Sequence, residues 1–307
     1  GTWEKFNMKS RSGKAAKSAA DSSDAVAAAT ADEPECPLFD AFCELEAVLF
    51  AEANYAKSHA DRTAKVFEKR AQQRRAQGVE LSLRSFCEEN SYPPSFRGCV
   101  SGWDATFVPE EPAAGEDGLA PQWSSILEQA SAEGGASVRA AFGVPASSAA
   151  RADEAVLARL ERLCRQPCCA AVGPMGLSFA VLEGEPGEAE AERSAQLAVA
   201  ERQVRLSREL GLALIVQLQP DDDEAERAMA ELLVAALGED AATQRILLSA
   251  FRGRPKCAAA MLKLFPGLVV GFSGLLTHSK LQKALGEVAF DTPVSRVVLE
   301  SLGPRFP

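Results

Sequence analysis

Histidine is scarce in this chain: its 307 residues contain only His59 and His278. Any mechanism that needs three or more imidazoles at one site is therefore excluded by counting. The chain also has no run of about 20 apolar residues, the length that a membrane-spanning helix requires. No membrane insertion is expected.

Positive charge is in the minority, with 33 Lys and Arg against 43 Asp and Glu and a net charge of −10. Neutralising the phosphates of a nucleic acid requires clustered Lys and Arg side chains. This balance argues against a broad nucleic-acid-binding surface, although it leaves room for a small basic patch.

The paired cysteine spacing of a zinc site is missing as well. Eight cysteines occur, and the closest group is Cys164, Cys168 and Cys169, which lacks the C-x-x-C pattern. Because Cys168 and Cys169 begin an apolar run, we predict buried free thiols, with a metal or redox role as the alternative. A chain of this size does not need disulfides, so we expect an intracellular, reducing compartment and no cofactor.

The chain does have enough apolar residues, 47% of the total, to build one large core, either a (β/α)8 barrel or two smaller domains. Residues 1–35 are of low complexity and are predicted to be an extension or linker, followed by a folded domain over 36–307. The basic, Ser/Ala-rich start is also typical of the neighbourhood of an organelle-targeting sequence. Cytosol, mitochondrion and plastid all remain open.

From Phe39 onward, short apolar runs alternate with helical stretches, which is typical of a parallel sheet covered by helices. The last such unit is clearest: an apolar run over 267–272, an amphipathic stretch over 279–288, and a second apolar run over 296–300. The predicted strands lie at 39–46, 96–103, 137–143, 169–173, 213–218, 245–250, 267–272 and 296–300.

Three segments resemble the TatD-like family of metal-dependent deoxyribonucleases. The run FDAFCELE at 39–46 resembles the family's opening strand iDtHcHLd, and GPMGLSF at 173–179 matches its signature GEiGLDf in frame. The run GFSG at 271–274 matches the strand that precedes the family's last strand. The resemblance covers 39–307 and implies a TIM-like (β/α)8 barrel.

The same resemblance shows replacements where the family binds its metal ions. The replaced ligand positions are Phe42, Glu44, Pro174, Gln217, Ser249 and Leu302. Of these residues only Glu44 carries a carboxylate that ligates metal in the usual way. The resemblance therefore implies a pseudoenzyme without metal: a catalytically inactive structural subunit, scaffold or adaptor of a larger intracellular protein assembly.

A partner is implied at one flank of the barrel. TatD-like barrels continue past the last strand into a closing helix, whereas this sequence stops three residues after Pro304. An apolar flank of the last and first strands should not stay exposed. Another protein subunit is expected to cover this flank, with the long first helix and the N-terminal extension as alternatives.

A rebuilt active site is one alternative function. Five acids end predicted strands or follow them, at the edge where barrel enzymes place their chemistry. They are Asp40, Glu44, Asp104, Asp221 and Glu300. Carboxylates bind Mg2+, so a divalent-metal-dependent phosphodiesterase or DNase with a rebuilt carboxylate site stays open.

An accessory RNA-binding subunit is another alternative. The predicted helix between the first two strands carries the densest basic patch of the chain. The residues of this patch are Arg62, Lys65, Lys69, Arg70, Arg74 and Arg75. They form either a solvated helix face or a docking surface for RNA or an acidic partner, and the overall charge does not favour nucleic acid.

Overall fold

The computed structural model describes residues 38–43, 83, 87–88, 95–106, 137–180, 186–277 and 282–301, all within the compact unit from Pro37 to Pro307. In this part of the chain, no helix is both long and apolar enough to cross a membrane. The predicted extension over 1–35, the basic residues between Arg62 and Arg75, both histidines, Glu44 and Leu302 lie outside the described residues.

Eight parallel strands form one sheet in sequence order, β1 to β8. Their backbones pair between consecutive strands throughout, for example Trp103 with Phe142 and Leu248 with Val270. The sheet curves into a nearly closed barrel, in which the Ser301 N–H after β8 donates to Asp40 of β1 over 2.9 Å. The strands are Leu38–Cys43, Phe96–Asp104, Ser137–Gly143, Cys169–Leu177, Ala213–Leu218, Ile246–Leu248, Leu268–Phe272 and Val297–Leu299.

Helices α1 to α5 alternate with the later strands and begin at residues suited to that position. Asp153 caps α1 by accepting the Val156 N–H over 2.9 Å, and Pro255 begins α4, where its missing N–H costs nothing. Helix α2 carries Glu188 in its first turn, where the helix dipole stabilises an acidic side chain. The helices are Glu154–Cys164, Pro186–Leu210, Asp223–Leu237, Pro255–Leu264 and Gln282–Asp291.

The core has two layers. The larger layer lies between the strands and their covering helices, and the smaller one fills the barrel interior with Phe42, Ala141, Ala171, Ile215 and Leu247. Gly102 is needed beside this inner layer, because a Cβ atom there would overlap the Phe42 ring. The interior is therefore packed rather than hollow.

The predicted (β/α)8 barrel is confirmed, with differences at the strand ends. Strand β4 extends beyond the predicted residue 173, since Met175 and Gly176 pair with Val216 and Gln217 of β5. Gly176 permits this close approach, because a Cβ atom there would overlap the backbone oxygen of Gln217. Strand β6 is shorter than predicted and ends at Leu248.

Candidate active site

Parallel strands bring the residues at their carboxyl ends to one rim of a barrel. Glu300 follows β8 and Ser249 follows β6, while Gln217 lies near the end of β5. Asp40 of β1 joins this group through Ser301. We call Asp40, Gln217, Ser249 and Glu300 the rim cluster.

Glu300 is the most unusual member of the rim cluster. Its side chain is only 5% exposed, and it occupies the space above Gly271, where a Cβ atom would overlap the carboxylate. Oxygen Oε2 accepts the Ala250 N–H over 2.7 Å, whereas the buried Oε1 has no hydrogen-bond partner among the described residues. An unpartnered buried carboxylate oxygen is costly to a fold and is typical of functional sites.

The surroundings of Glu300 favour a proton on its carboxylate. Burial raises the pKa of Glu300 to about 7, and the nearby negative charge of Asp40 acts in the same direction. The Ala250 N–H and the Ser249 hydroxyl oppose this effect by hydrogen-bonding the ionised form. A carboxylate with a pKa near neutrality can both take up and release a proton at physiological pH.

Asp40 is held in place from two sides. Its Oδ1 accepts the Phe42 N–H over 3.2 Å and the Ser301 N–H over 2.9 Å. Burial raises the pKa of Asp40, although these hydrogen bonds limit the rise. The negative charge of Asp40 in turn raises the pKa of Glu300, because a like charge disfavours the ionised form of a neighbouring acid.

The backbone at Ala250 aims a donor at Glu300. Ala250 has a φ of 50°, a left-handed conformation that is unfavourable for any residue with a Cβ atom. Beside it, the Gln217 side-chain nitrogen donates to the Ser249 hydroxyl over 3.5 Å. Sequence reasoning missed Ala250, because alanine gives no signal of such a conformation.

The other predicted acids have separate structural tasks. Asp104 accepts the hydroxyl protons of Thr106 and Ser148 over 2.7 and 2.6 Å. Asp221 is exposed at the turn before α3. The neighbouring Asp222 caps α3 and accepts the N–H groups of residues 179 and 180 after β4. Of the acids predicted for a rebuilt site, Asp40 and Glu300 are the two that lie near each other among the described residues.

The residues that replace the family's metal ligands lie in different parts of the barrel. Phe42 lies in the barrel interior, Pro174 lies within β4, and Gln217 bonds Ser249. Within the described ranges, no three His, Cys, Asp or Glu side chains are grouped closely enough to hold a metal ion. These side chains do not fit a metal centre, so we assign no step to a metal. Two of the replaced ligand positions, Glu44 and Leu302, lie outside those ranges, so the loss of the metal site stays a prediction.

Comparison with known proteins identifies the family. Residues 47–306 match the family of TatD-related DNases. The chain belongs to the TatD family. Over 217 residues it is 27% identical to the 3'-5' RNA nuclease TATDN2 of Homo sapiens. The matched residues make up 71% of this chain but only 25% of the length of that relative.

Two solved structures share the fold. The TatD homologue YJJV from Escherichia coli superposes with a TM-score of 0.56 at 15% identity, covering 89% of this chain and 82% of its own. An uncharacterised amidohydrolase from Saccharomyces cerevisiae gives a TM-score of 0.52 at 13% identity, covering 88% of this chain and 76% of its own. At these identities the likeness concerns the barrel alone.

The prediction that the chain is not an enzyme is wrong. The family it belongs to is one of deoxyribonucleases, and the relative in Homo sapiens is named as an RNA nuclease. The prediction equated the replacement of imidazole ligands with the loss of all chemistry. Asp40 and Glu300, which the sequence analysis placed among the acids of a rebuilt site, lie at the same rim.

Proposed function

We propose that this chain is a TatD-type nuclease that hydrolyses phosphodiester bonds at the barrel rim, with Glu300 as the general base. The observation that carries this proposal is the buried Oε1 atom of Glu300, which has no partner among the described residues and lies near the charge of Asp40. Membership of the TatD family supports the reaction class.

The proposed substrate is the 3' end of an RNA strand, which the chain shortens stepwise. The name of the similar 3'-5' RNA nuclease supports RNA, and the family description makes DNA the second choice. The net charge of −10 supports a reaction at strand ends. Holding a few terminal nucleotides needs fewer phosphate contacts than holding a long duplex.

Glu300 and Asp40 have different roles in the proposed reaction. The Ala250 N–H holds Oε2 of Glu300 over 2.7 Å, so the free Oε1 takes the proton of the attacking water. The water oxygen then bonds to phosphorus, and the bond from phosphorus to the leaving 3' oxygen breaks. This oxygen takes a proton from solvent, and Glu300 afterwards returns its proton to solvent. Burial raises the pKa of Glu300 most, and the negative charge of Asp40 adds to this rise, which increases the proton affinity of Glu300.

The pH dependence of the rate tests these roles. Since a general base must be ionised, the initial rate of RNA shortening is expected to rise as the pH rises through about 7. Asp40→Asn keeps an oxygen acceptor for the Phe42 and Ser301 N–H groups but removes the charge, so the midpoint should move to lower pH. The matched control is Asp221→Asn at an exposed acid. A rate that falls through the same pH range, or a midpoint unmoved by Asp40→Asn, would contradict the assignment.

A second role, as a subunit of a protein assembly, is favoured by exposed apolar residues around the last strand. Phe290 at the end of α5 is 91% exposed, Val294 before β8 is 90% exposed, and Leu299 of β8 is 67% exposed. Leu38 and Phe39 of β1 are also exposed. Clustered exposed apolar side chains mark interaction surfaces, which supports a partner subunit at the flank of the last and first strands.

Disrupting these residues should release the chain from its assembly. A chain with Phe290→Ser and Val294→Ser is expected to elute from a gentle cell extract at its own mass, while the unmodified chain elutes in a larger species. Val234→Ser on α3, another exposed apolar position, is the control and should behave as the unmodified chain does. Elution of the unmodified chain at its own mass would refute the assembly role.

A further inference from the structure

Gln217 lies at the top of the barrel interior. On the same strand, Ile215 belongs to the inner layer of the core, whereas Val216 and Leu218 belong to the outer layer. Because successive side chains of a strand point to opposite faces, Gln217 points inward, one step above Ile215. Its backbone is fixed by pairing with Gly176 of β4. The side chain is partly exposed, so a ligand at the rim can reach it.

The strand register places Gln217 in one row with the proposed general base. Strands β5, β6 and β7 pair in register up to Val216, Leu248 and Val270. The next residues, Gln217, Ser249 and Gly271, therefore form a row at the rim, and the Glu300 carboxylate lies above Gly271. Since neighbouring strands are about 4.8 Å apart, the backbone of Gln217 is roughly 10 Å along this row from Gly271. A sugar next to a phosphate held at Glu300 is therefore within reach of the Gln217 side chain.

The Gln217 side chain has hydrogen-bonding groups to spare. Its nitrogen donates to the Ser249 hydroxyl over 3.5 Å, at the long limit of a hydrogen bond. Among the described residues this side chain makes no other hydrogen bond. A glutamine amide has two N–H donors and a carbonyl acceptor, so one N–H and the carbonyl remain available to a ligand.

Glutamines that support the fold of this barrel bond at both ends of their amide. Gln203 accepts the Val144 N–H over 2.8 Å and donates to the Val144 carbonyl over 3.1 Å. Gln196 makes the same two bonds with Ser178, over 2.8 and 3.1 Å. Gln217 has no such backbone partner in the part of the chain that the structure describes. Support of the backbone therefore does not account for an amide at this place.

We propose that Gln217 binds the 2'-hydroxyl group of the ribose whose 3' oxygen leaves, so that the chain prefers RNA to DNA. This inference rests on the proposed nuclease function. A 2'-hydroxyl group both donates and accepts a hydrogen bond, which matches the remaining carbonyl and N–H of Gln217. It is attached to the carbon next to the one that carries the leaving oxygen, so it lies close to the scissile bond. A deoxyribose leaves both groups of Gln217 unbonded and should react more slowly.

Changes at a single 2' position test the proposal. Three RNA oligonucleotides labelled at the 5' end carry a hydroxyl group, a hydrogen or a fluorine at the 2' position of the penultimate nucleotide. The initial rate at which the last nucleotide is removed is measured for each. Fluorine retains the sugar shape of RNA but cannot donate a hydrogen bond. We expect the hydroxyl form to react about 5- to 30-fold faster than the other two, the effect of one or two hydrogen bonds.

A substitution at Gln217 should remove this preference. Gln217→Met removes the amide and keeps the length of the side chain. The rate on the hydroxyl form should fall to the rate on the hydrogen form, which itself should change by less than about twofold. Gln166→Met is the matched control and should retain the full preference. Gln166 is also partly exposed and makes one side-chain bond over 3.5 Å, but it precedes β4 at the opposite end of the barrel.

Three results would overturn the proposal and leave the nuclease function intact. They are equal rates on the three oligonucleotides, a fluorine form as fast as the hydroxyl form, and a preference that persists in Gln217→Met. If Gln217→Met does not fold, Gln217→Asn, which draws the amide back by one carbon, takes its place and should also lose the preference.

Binding separates a failure of this inference from a failure of the nuclease function. If the chain hydrolyses none of the oligonucleotides, their Kd values are compared by fluorescence anisotropy. The hydroxyl form should bind more tightly than the hydrogen form to the unmodified chain and equally to Gln217→Met. Equal Kd values for the unmodified chain would overturn the inference as well.

Discussion

Replacing Glu300 with glutamine is expected to reduce RNA hydrolysis by about 10²- to 10⁴-fold, the usual contribution of a general base. Glutamine keeps an oxygen that accepts the Ala250 N–H, so the local structure should persist. It cannot take up the proton of the attacking water. Initial rates on RNA labelled at its 5' end measure this effect.

The same substitution is expected to stabilise the fold at alkaline pH. The pKa of Glu300 is about 7 in the folded chain against an ordinary value of 4.5. Because the folded pKa is the higher one, this stabilising contribution is complete below about 4.5 and is lost as the pH rises through about 7. The difference corresponds to about 3 kcal/mol in the free energy of unfolding, a loss that Glu300→Gln avoids.

Urea denaturation near pH 5 and pH 8 checks this second effect. Glu300→Gln should exceed the unmodified chain in stability at the higher pH by up to about 3 kcal/mol and approach it at the lower pH. Glu231→Gln, at an exposed acid of α3, should change stability by less than about 0.5 kcal/mol at either pH. Equal destabilisation by Glu300→Gln at both pH values would mean that Glu300 only supports the fold.

Phe42→Ala is expected to lower the free energy of unfolding by about 3–5 kcal/mol, the usual cost of removing a buried aromatic ring. Phe42 is fully buried and belongs to the inner layer of the barrel. Its neighbours there are small or branched residues whose backbones are fixed by the sheet, so the space cannot close. Urea denaturation at one pH measures the loss.

A double substitution tests the proposed contact between Phe42 and Gly102. Gly102→Ala alone should be destabilising, because the new Cβ atom overlaps the Phe42 ring. With Phe42→Ala already present, the extra methyl group has room. The loss in free energy of unfolding of the double variant should therefore be smaller than the sum of the two single-variant losses by about 0.5–3 kcal/mol. Strict additivity of the two substitutions would contradict the packing of Phe42 against Gly102.

Much of the fold can be predicted from the sequence, because a strand buried on both faces must be a continuous apolar run. The runs at 137–143 and 213–218 are strands over the predicted residues. The order of strands around the barrel followed from the family resemblance. The ends of β4 and β6 could not be predicted, because they depend on backbone contacts with neighbouring strands.

The candidate site is less accessible to sequence reasoning. Asp104 ends β2 and Glu300 follows β8, whereas Asp40 lies within β1 and is linked to the residue after Glu300 through the Ser301 N–H. Asp104 is instead engaged by Ser148 of a short 3-10 helix. Which acids meet is decided by turns and loops, whose geometry has no simple sequence pattern.

Shortening of RNA by the purified chain tests the central claim most directly. RNA and DNA oligonucleotides labelled at the 5' end are incubated with the chain, without added metal and with Mg2+, Mn2+ or Zn2+, and the products are resolved by length. We predict a ladder of RNA products that shortens stepwise from the 3' end and is lost in Glu300→Gln. RNA and DNA that stay intact under every condition, or a ladder that persists in Glu300→Gln, would contradict the account.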